Sequence, residues 1–399
     1  MNNVFSVLRE FFQLGLTSFG GPSAHIAFFR ERFVEKLKWL TDQEFADLLA
    51  LCQFLPGPAS SQFGLAVGWK KAGWTGALAA WIGFTLPSAM VMAGFGVILV
   101  SLGGEDVANA GWLRGLQIAV VIVIAKAVWS MAQSLCPDKA RQLIALYGMA
   151  MMLYLDASWA QILVIAFGAI FGWAFVKLDQ TGVDRTPLPV ESKKKPYRIV
   201  GGVCLGLFAV LLCGLPLLQK AMPDSRPLEA FDAMYRSGAL VFGGGHVVLP
   251  LLSEEVVDTG WVTTQEFMAG YGAAQAVPGP LFTFSAFLGS VMEAEINPWL
   301  MATLCLVGIF LPAWLLVLGV MPFWESLVNR PGLRKALAGT NAVVVGLLGA
   351  ALYDPVWTGT IRGSADIIFL LGVAAVMLVL KWPAWLVVVL SGVAGWLVY

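Results

Sequence analysis

Gln53-Phe54-Leu55-Pro56-Gly57-Pro58-Ala59-Ser60-Ser61-Gln62 is the stretch on which the reading of this 399-residue chain turns. It lies in apolar sequence, yet its Pro-Gly-Pro must stop a helix. Proline lacks a backbone donor and collides with the preceding turn, and glycine frees the backbone between the two breaks. In hydrocarbon, broken backbone survives only where protein buries it or where it lines a watery cavity. The same device returns at Gln275-Ala276-Val277-Pro278-Gly279-Pro280.

The surrounding composition is that of a membrane protein. Hydrophobic residues make up 58% and charged residues 13% of the chain, where a soluble domain carries about 25% charged residues; mean hydropathy is +0.78. With 25 basic and 25 acidic residues there is no basic footprint for nucleic acid. The start, Met1-Asn2-Asn3-Val4-Phe5-Ser6, lacks the basic, apolar and small-residue regions of a signal peptide. Cys52, Cys136, Cys204, Cys213 and Cys305 show no CxxC spacing and read as small core hydrophobes. His25 and His246 are the only histidines, so neither a His-rich metal site nor any cofactor is expected.

A first apolar helix ends at Phe19-Gly20-Gly21-Pro22, and a second begins at Thr41-Asp42-Gln43-Glu44, an N-cap candidate with an acidic first turn. The pieces flanking Pro56-Gly57-Pro58 are each shorter than the about 20 residues a span needs. Segments 5–36 and 42–70 therefore read as hairpins of half-helices or as discontinuous helices. Full spans are expected near 74–100, 114–134, 143–156 and 158–176, and a lone span near 199–220.

The second half repeats the first. Phe19-Gly20-Gly21-Pro22 matches Phe242-Gly243-Gly244-Gly245. Trp39, Thr41, Gln43, Glu44, Phe45, Gln53, Pro56, Gly57 and Pro58 match Trp261, Thr263, Gln265, Glu266, Phe267, Gln275, Pro278, Gly279 and Pro280 at one offset. This is an internal duplication, which divides the chain into a first repeat (1–176), a basic linker (177–198), a connecting span (199–220) and a second repeat (221–399). The expected count is nine full spans and four half-helix hairpins.

Loop charge supplies the orientation. Arg30, Arg32, Lys36 and Lys38 in the first half correspond to Glu254, Glu255 and Asp258 in the second. Lys70-Lys71 corresponds to the region of Glu293 and Glu295, and the Glu105-Asp106 loop to one holding Arg330, Arg334 and Lys335. Three reversals of sign predict an all-α polytopic membrane protein of two homologous repeats with inverted topology and re-entrant half-helices. Lysine and arginine favour the cytoplasmic side, so the N-terminus and the 177–198 linker are expected there and Tyr399 outside. Inverted repeats with broken helices are characteristic of secondary transporters.

Phe19-Gly20-Gly21-Pro22, Phe54-Leu55-Pro56-Gly57-Pro58, Phe242-Gly243-Gly244-Gly245-His246 and Gln275-Ala276-Val277-Pro278-Gly279-Pro280 together resemble the chromate ion transporter family, in its long-chain, two-domain form. The resemblance covers nearly the whole chain. It implies a multi-pass bacterial inner-membrane protein, not an enzyme, that exports chromate from the cytoplasm at the expense of the proton gradient, with sulfate as the structural analogue.

Chromate and sulfate are tetrahedral dianions and need convergent donors without so much charge that release fails. Pro22, Pro58 and Pro280 suit the first positions of half-helices, and Gly245 stands at the fourth equivalent place. A helix N-terminus offers free N–H groups and roughly +0.5 charge, so four would offer about +2. The expected substrate-binding set is Gly20, Gly21, Pro22, Ser23, Gln53, Pro56, Gly57, Pro58, Ser60, Ser61, Gln62, Gly243, Gly244, Gly245, His246, Gln275, Pro278, Gly279, Pro280 and Thr283, with Ser285 close behind. For the serines, threonines and glutamines the competing reading is that they only satisfy broken backbone. His25, which has no histidine at its repeat position, reads as a packing or interfacial residue.

Coupling or gating candidates are Glu44, Glu266, Arg30 and Lys126. Against them stand plainer roles: helix-dipole partners for the two acids, a positive-inside anchor for Arg30, and snorkelling for Lys126. Trp74, Trp173, Trp299, Trp385 and Trp396 suit the membrane interface, and Gly64, Gly68, Gly94 and Gly96 suit close helix packing. The absence of a Gly-x-x-x-x-Gly-Lys-[Ser/Thr] run disfavours ATP-driven pumping, and a reductase finds no cysteine pair or dinucleotide fingerprint. The alternatives are transport or import of sulfate or another oxyanion, and an anion channel. The expected surroundings are an oxyanion, protons and the lipid bilayer, in a monomer or homodimer.

Overall fold

The structure, a computed structural model, describes residues 2–102, 110–155, 160–177, 195–222, 225–242, 245–324, 327 and 330–399. Every regular element among them is helical. The first repeat holds α1 (Asn2–Thr17), α2 (Gly21–Arg30, continued by a π-type turn Glu31–Lys36), α3 (Asp42–Phe54), α4 (Ala59–Ser101), α5 (Gly111–Leu135), α6 (Lys139–Tyr154) and α7 (Ala160–Phe175). A connecting helix α8 (Lys195–Ala221) leads to α9 (Arg226–Leu240). After a 3-10 turn Gly245–Val247 come α10 (Val248–Val256) and α11 (Thr264–Ala276). After a second 3-10 turn, Leu281–Thr283, come α12 (Phe284–Val291), α13 (Pro298–Val320), α14 (Pro331–Ala351), α15 (Ser364–Ala374) and α16 (Ala384–Val398). The linker residues 178–194, the Glu105-Asp106 loop, Gly243 and Gly244 lie outside the described residues.

The two repeats carry the same elements in the same order. Thr41 and Thr263 each accept from the amide three residues on, and Glu44 and Glu266 return a bond to the Thr amide, so α3 and α11 open with the same capping box. Both helices end in extended residues, Leu55 (ψ 146°) and Val277 (ψ 138°), just before the Pro-Gly-Pro. α4 is broken at Ala72 and Gly73, whose backbone is non-helical. The break separates an arm over 59–71 from a long span over 74–101, the counterparts of α12 and α13.

Each repeat thus begins with two helical hairpins. Phe11 packs on Phe29 and Phe33 at 5.9 and 5.0 Å, so α2 runs back along α1. α3 is tied to the returning arm of α4 by Phe45 on Phe63 at 4.8 Å and by a Glu44–Lys70 ion pair at the open end. In the second repeat Arg236 meets Glu255, and Phe267 lies on Phe284 at 5.1 Å. Of the four glycines assigned to close packing, three fit: a methyl group on Gly64 would collide with Phe11, and on Gly68 and Gly96 with Gly76 and Ser290. Gly94 has room, with Trp299 at 3.6 Å.

Among the described residues, five helices are long and apolar enough to cross a bilayer: Ala59–Ser101, Gly111–Leu135, Tyr197–Ala221, Pro298–Phe323 and Pro331–Thr360. The expectation of nine full spans is corrected here. α6 and α7 have 16 residues each and α16 has 15, which at about 1.5 Å per residue fall short of a core about 30 Å thick. These short helices gain their packing from the other repeat. Gly168 and Gly172 of α7 lie against Gly339 of α14, and Gly111 and Gly115 of α5 lie against Gly395 of α16. Without side chains between them, the backbones approach closely. α8 is by contrast mostly exposed, with Ile199, Val203, Leu207, Val210 and Leu217 facing outward.

One polar knot fixes the end of this exchange. Asp366, 1% exposed, takes two bonds from Arg114 at the start of α5 (3.0 and 2.8 Å), one from the Arg362 amide and one from the Tyr399 hydroxyl (2.8 Å each). The segment that follows α14 therefore arrives where α5 begins.

Candidate functional site

The four hairpin tips meet. The Gly57 amide donates to the Val241 carbonyl at 2.6 Å, and the Gly279 amide donates to the Ser18 carbonyl at 3.0 Å. Gly57 and Gly279 are repeat equivalents, and so are Val241 and Ser18, so each repeat's second hairpin is bonded to the other repeat's first. Gly57 has φ +120° and Gly279 φ +102°, a backbone that L-residues rarely adopt. Glycine is also required by space. A methyl group on Gly57 would lie 2.7 Å from Gln62 Nε2, and one on Gly279 2.7 Å from Ser88 Oγ.

The remaining contacts close the circle. His25 is 1% exposed; its Nε2 lies 3.2 Å from the Ser18 carbonyl and its Nδ1 3.3 Å from Ser60 Oγ, which ties the first tip to the second. His246 Nδ1 lies 2.9 Å from the Tyr271 hydroxyl, and its Nε2 would lie 3.9 Å from a methyl group on Gly21. The third tip is thereby joined to the fourth hairpin arm and placed beside the first tip.

Helix polarity at this junction differs from the simple sum of four N-termini. Each tip also receives a helix C-terminus, from α1, α3, α9 or α11, whose last carbonyls carry partial negative charge. Two of the carbonyls just beyond those ends, Ser18 and Val241, are taken up by the Gly279 and Gly57 amides. Those two amides are consequently spent on protein. The groups left open are the first-turn amides that have no helical partner, such as those of Ala59 and Ser60 at the start of α4.

Several buried side-chain atoms here have no hydrogen-bond partner: Ser18 Oγ, Ser61 Oγ, Gln62 Oε1 and Thr85 Oγ1. Leaving such groups unsatisfied costs about 1–3 kcal/mol each; Gln275 Nε2 before the fourth tip is another, and Trp81, Asp232, Ser237 and Thr360 hold partnerless atoms elsewhere. Other polar residues serve the backbone, as the plainer reading expected. Gln62 Nε2 donates to the Pro56 carbonyl (2.6 Å), Thr283 to the Pro280 carbonyl and Ser285 to the Phe282 carbonyl (both 2.8 Å).

The other expected residues fall around this centre. Pro22 sits in the first turn of α2, whereas Pro58 and Pro280 stand one residue outside the helices they precede. Gly20 caps α2, and Gly245 opens the 3-10 turn that carries His246. Of Ser23 only the backbone is described. Pro278 and Gln275 are half-buried, but Gln53 is exposed, so the two glutamines before the breaks do not occupy like environments.

The four coupling candidates lie elsewhere. Glu44 and Glu266 are capping-box residues at the far ends of their arms. Burial raises the Glu44 pKa, but hydrogen bonds from Lys70 and Thr41 outweigh it and hold the carboxyl below its usual range. Arg30 is exposed and paired with Glu35 and Asp42, and Lys126 is exposed.

Sequence reasoning passed over Ser18 and Thr85; His25 is packed as expected, its ring against Phe84 and Phe29, and it also bridges Ser18 and Ser60. His25 has Val248 at its repeat position, so comparison of the halves gives it no weight. Ser18 precedes the glycine break and was one residue outside the matched motif.

The comparisons agree with this architecture. The family profile described as Chromate transporter matches twice, over residues 5–173 and 228–396. A chromate transport protein of Pseudomonas aeruginosa is 27% identical over 98% of this chain and 92% of its own. An uncharacterized transporter of Methanocaldococcus jannaschii is 27% identical over 99% of this chain and 94% of its own. A chromate transport protein of Cupriavidus metallidurans is 26% identical over 87% of this chain and 81% of its own. No solved structure matches the chain. The two halves, with their paired hairpins and glycine-tipped junction, are the two repeats of that profile: the chain belongs to the chromate transporter family.

Proposed function

We propose that this protein is a secondary active transporter that exports chromate, a tetrahedral oxyanion, from the cytoplasm by alternating access driven by the proton gradient. The observation that carries the reading is the four-tip junction. It has reciprocal bonds from Gly57 to Val241 and from Gly279 to Ser18, with partnerless Ser18, Ser61, Gln62 and Thr85 atoms beside it. Hydroxyls, open first-turn amides and His246 suit a dianion that must be both bound and released. The printed names of the relatives from Pseudomonas aeruginosa and Cupriavidus metallidurans favour chromate over sulfate.

In this reading the repeats are inverted across the membrane and rock about the junction. Support comes from the reversed loop charges and from the Arg114–Asp366 knot, which brings the sequel of α14 to the beginning of its counterpart α5. The N-terminus and the 177–198 linker lie on the cytoplasmic side of a bacterial inner membrane, Tyr399 lies outside, and α8 supplies the odd crossing. The repeat limits are 1–176 and 221–399, and one chain holds a complete junction, as monomer or within a homodimer.

The test is chromate uptake into everted vesicles with and without an imposed proton gradient, with sulfate as competitor. Energised accumulation against the chromate gradient supports the reading. Flux that only runs down the gradient identifies a channel, and sulfate accumulation without chromate accumulation identifies a sulfate transporter.

A further inference from the structure

Each first hairpin is braced internally at one pair of equivalent positions, 13/32 and 236/255. In the first repeat Arg32 donates to Gln13 (3.1 Å) and pairs with Glu10. In the second, Arg236 stands where Gln13 stood and Glu255 where Arg32 stood, 2.8 Å apart, and Asp232 supplies a second carboxylate 3.0 Å from Arg236. The first brace balances one carboxylate against one guanidinium. The second sets two carboxylates against one.

The excess is buried. Asp232 is 1% exposed, and its Oδ1 has no hydrogen-bond partner. Arg236, at 32% exposure, leads from the cluster toward the surface. Further charge around it is unhelpful: Glu254 is adjacent in the chain, and Asp258 lies on the segment leaving α10. α13 and α7, which pack on these arms or reach them through Gln161, contain no Asp, Glu, Lys, Arg or His. The charges of α8 lie near its ends, at Lys195, Arg198 and Lys220, and those of α14 in its first turns, at Arg334 and Lys335. Arg226 is engaged with Glu229. A surplus carboxylate in such surroundings favours a bound proton.

We propose that Asp232, Arg236 and Glu255 form the proton-binding site of the transporter, and that its loading state sets whether the α9–α10 hairpin is braced. With Asp232 competing for Arg236, a proton from the aqueous phase adds to one oxygen of Glu255 and makes a neutral carboxylic acid; it leaves to water when the carboxylate re-forms. With both carboxylates charged, Arg236 bridges α9 to α10. With Glu255 neutral the bridge loses its ionic character, and the hairpin, whose tip carries Val241 and His246, is free to part. The counterpart in the first repeat, already neutral, has no such dependence on protons. The coupling role rests on the transporter reading above; the proton site itself does not.

The experiment uses purified full-length protein, reconstituted into vesicles, as wild type, Asp232→Asn and Glu255→Gln. Three quantities are measured: chromate–chromate exchange, chromate accumulation under a pH gradient, and the protonated-carboxyl C=O band in infrared difference spectra across a pH step. Expected are a band in the wild type that Asp232→Asn or Glu255→Gln removes, and exchange retained with accumulation lost in that variant. Glu255→Gln leaves the Asp232–Arg236 pair intact and serves if Asp232→Asn fails to fold. Two results overturn the proposal: variants that accumulate chromate as the wild type does, or a wild-type carboxyl band unchanged in both variants. Wild-type protein that neither exchanges nor accumulates chromate refutes the transporter reading, and the infrared band still decides whether the cluster binds a proton.

Discussion

Replacing Gly279 by alanine is the most direct challenge to the junction. At φ +102° an L-residue is strained by about 1–3 kcal/mol. The new methyl group would lie 2.7 Å from Ser88 Oγ, 3.2 Å from Ser88 Cβ and 3.3 Å from the Phe84 carbonyl. The serine hydroxyl can rotate away, but its Cβ and the Phe84 backbone cannot, so the tip must shift. Loss of the Gly279–Ser18 bond then adds about 0.5–1.5 kcal/mol. The sum, about 1.5–4.5 kcal/mol, lowers the population with joined tips roughly 10- to 1,600-fold, at about 1.4 kcal/mol per decade. Chromate titration of intrinsic tryptophan fluorescence, alongside thermal melting in detergent, reads both faces of this effect. Gly214→Ala is the control, because a methyl group there meets nothing within 4 Å. A Gly279→Ala protein that bound chromate and melted as the wild type does would refute the reasoning.

Gly57→Ala should match Gly279→Ala within about threefold in both assays, since the two positions share a conformation and a reciprocal bond. Ser61→Ala should weaken chromate binding about tenfold while leaving the melting temperature unchanged or higher, because it removes a buried hydroxyl that has no partner in the free protein. Arg114→Met should destabilise by about 3–5 kcal/mol, as it strands the buried Asp366 carboxylate, and Asp366→Asn in the same chain should restore part of the loss in detergent melts. The Glu44 contribution follows a depressed carboxyl pKa. It is present at neutral pH, above the unfolded value, and is lost as pH falls through the folded value, so Glu44→Gln should lower melting at pH 7 and converge with wild type in acid.

The hairpins, their capping boxes and the duplication were legible in the sequence because each rests on local chemistry. Thr41 with Glu44, and proline flanking glycine, act within a few residues of themselves. The junction was only half legible. Backbone amides and carbonyls leave no residue-type trace, so nothing in Gly57 or Val241 announces the bond between them. The packing of His25 was legible, but its bridge between two tips was not: it joins them through partners specific to one repeat, and duplication highlights only what both halves keep. The span count erred because hydropathy records apolarity per residue and not whether a helix must cross alone. α7 and α16 are as apolar as full spans, yet they are short and lean on the opposite repeat. The proton cluster was hidden by the same equivalence that revealed the fold, since Asp232 aligns with Arg9 and Arg236 with Gln13.

The exchange of helices between halves also bears on how the chain is made. α7 finds its packing partner in α14, so residue 175 must wait for residue 351 to be synthesised. At about 5–20 residues per second that interval is on the order of 10–30 s. In the folded protein Val343 and Gly339 cover Gly168 and Gly172, so until they are made that face lacks its partner. The insertion machinery therefore handles the first repeat as an unfinished object whose closure depends on the second. A ribosome that stalls in between leaves a half-protein whose α7 face has no α14 to close it.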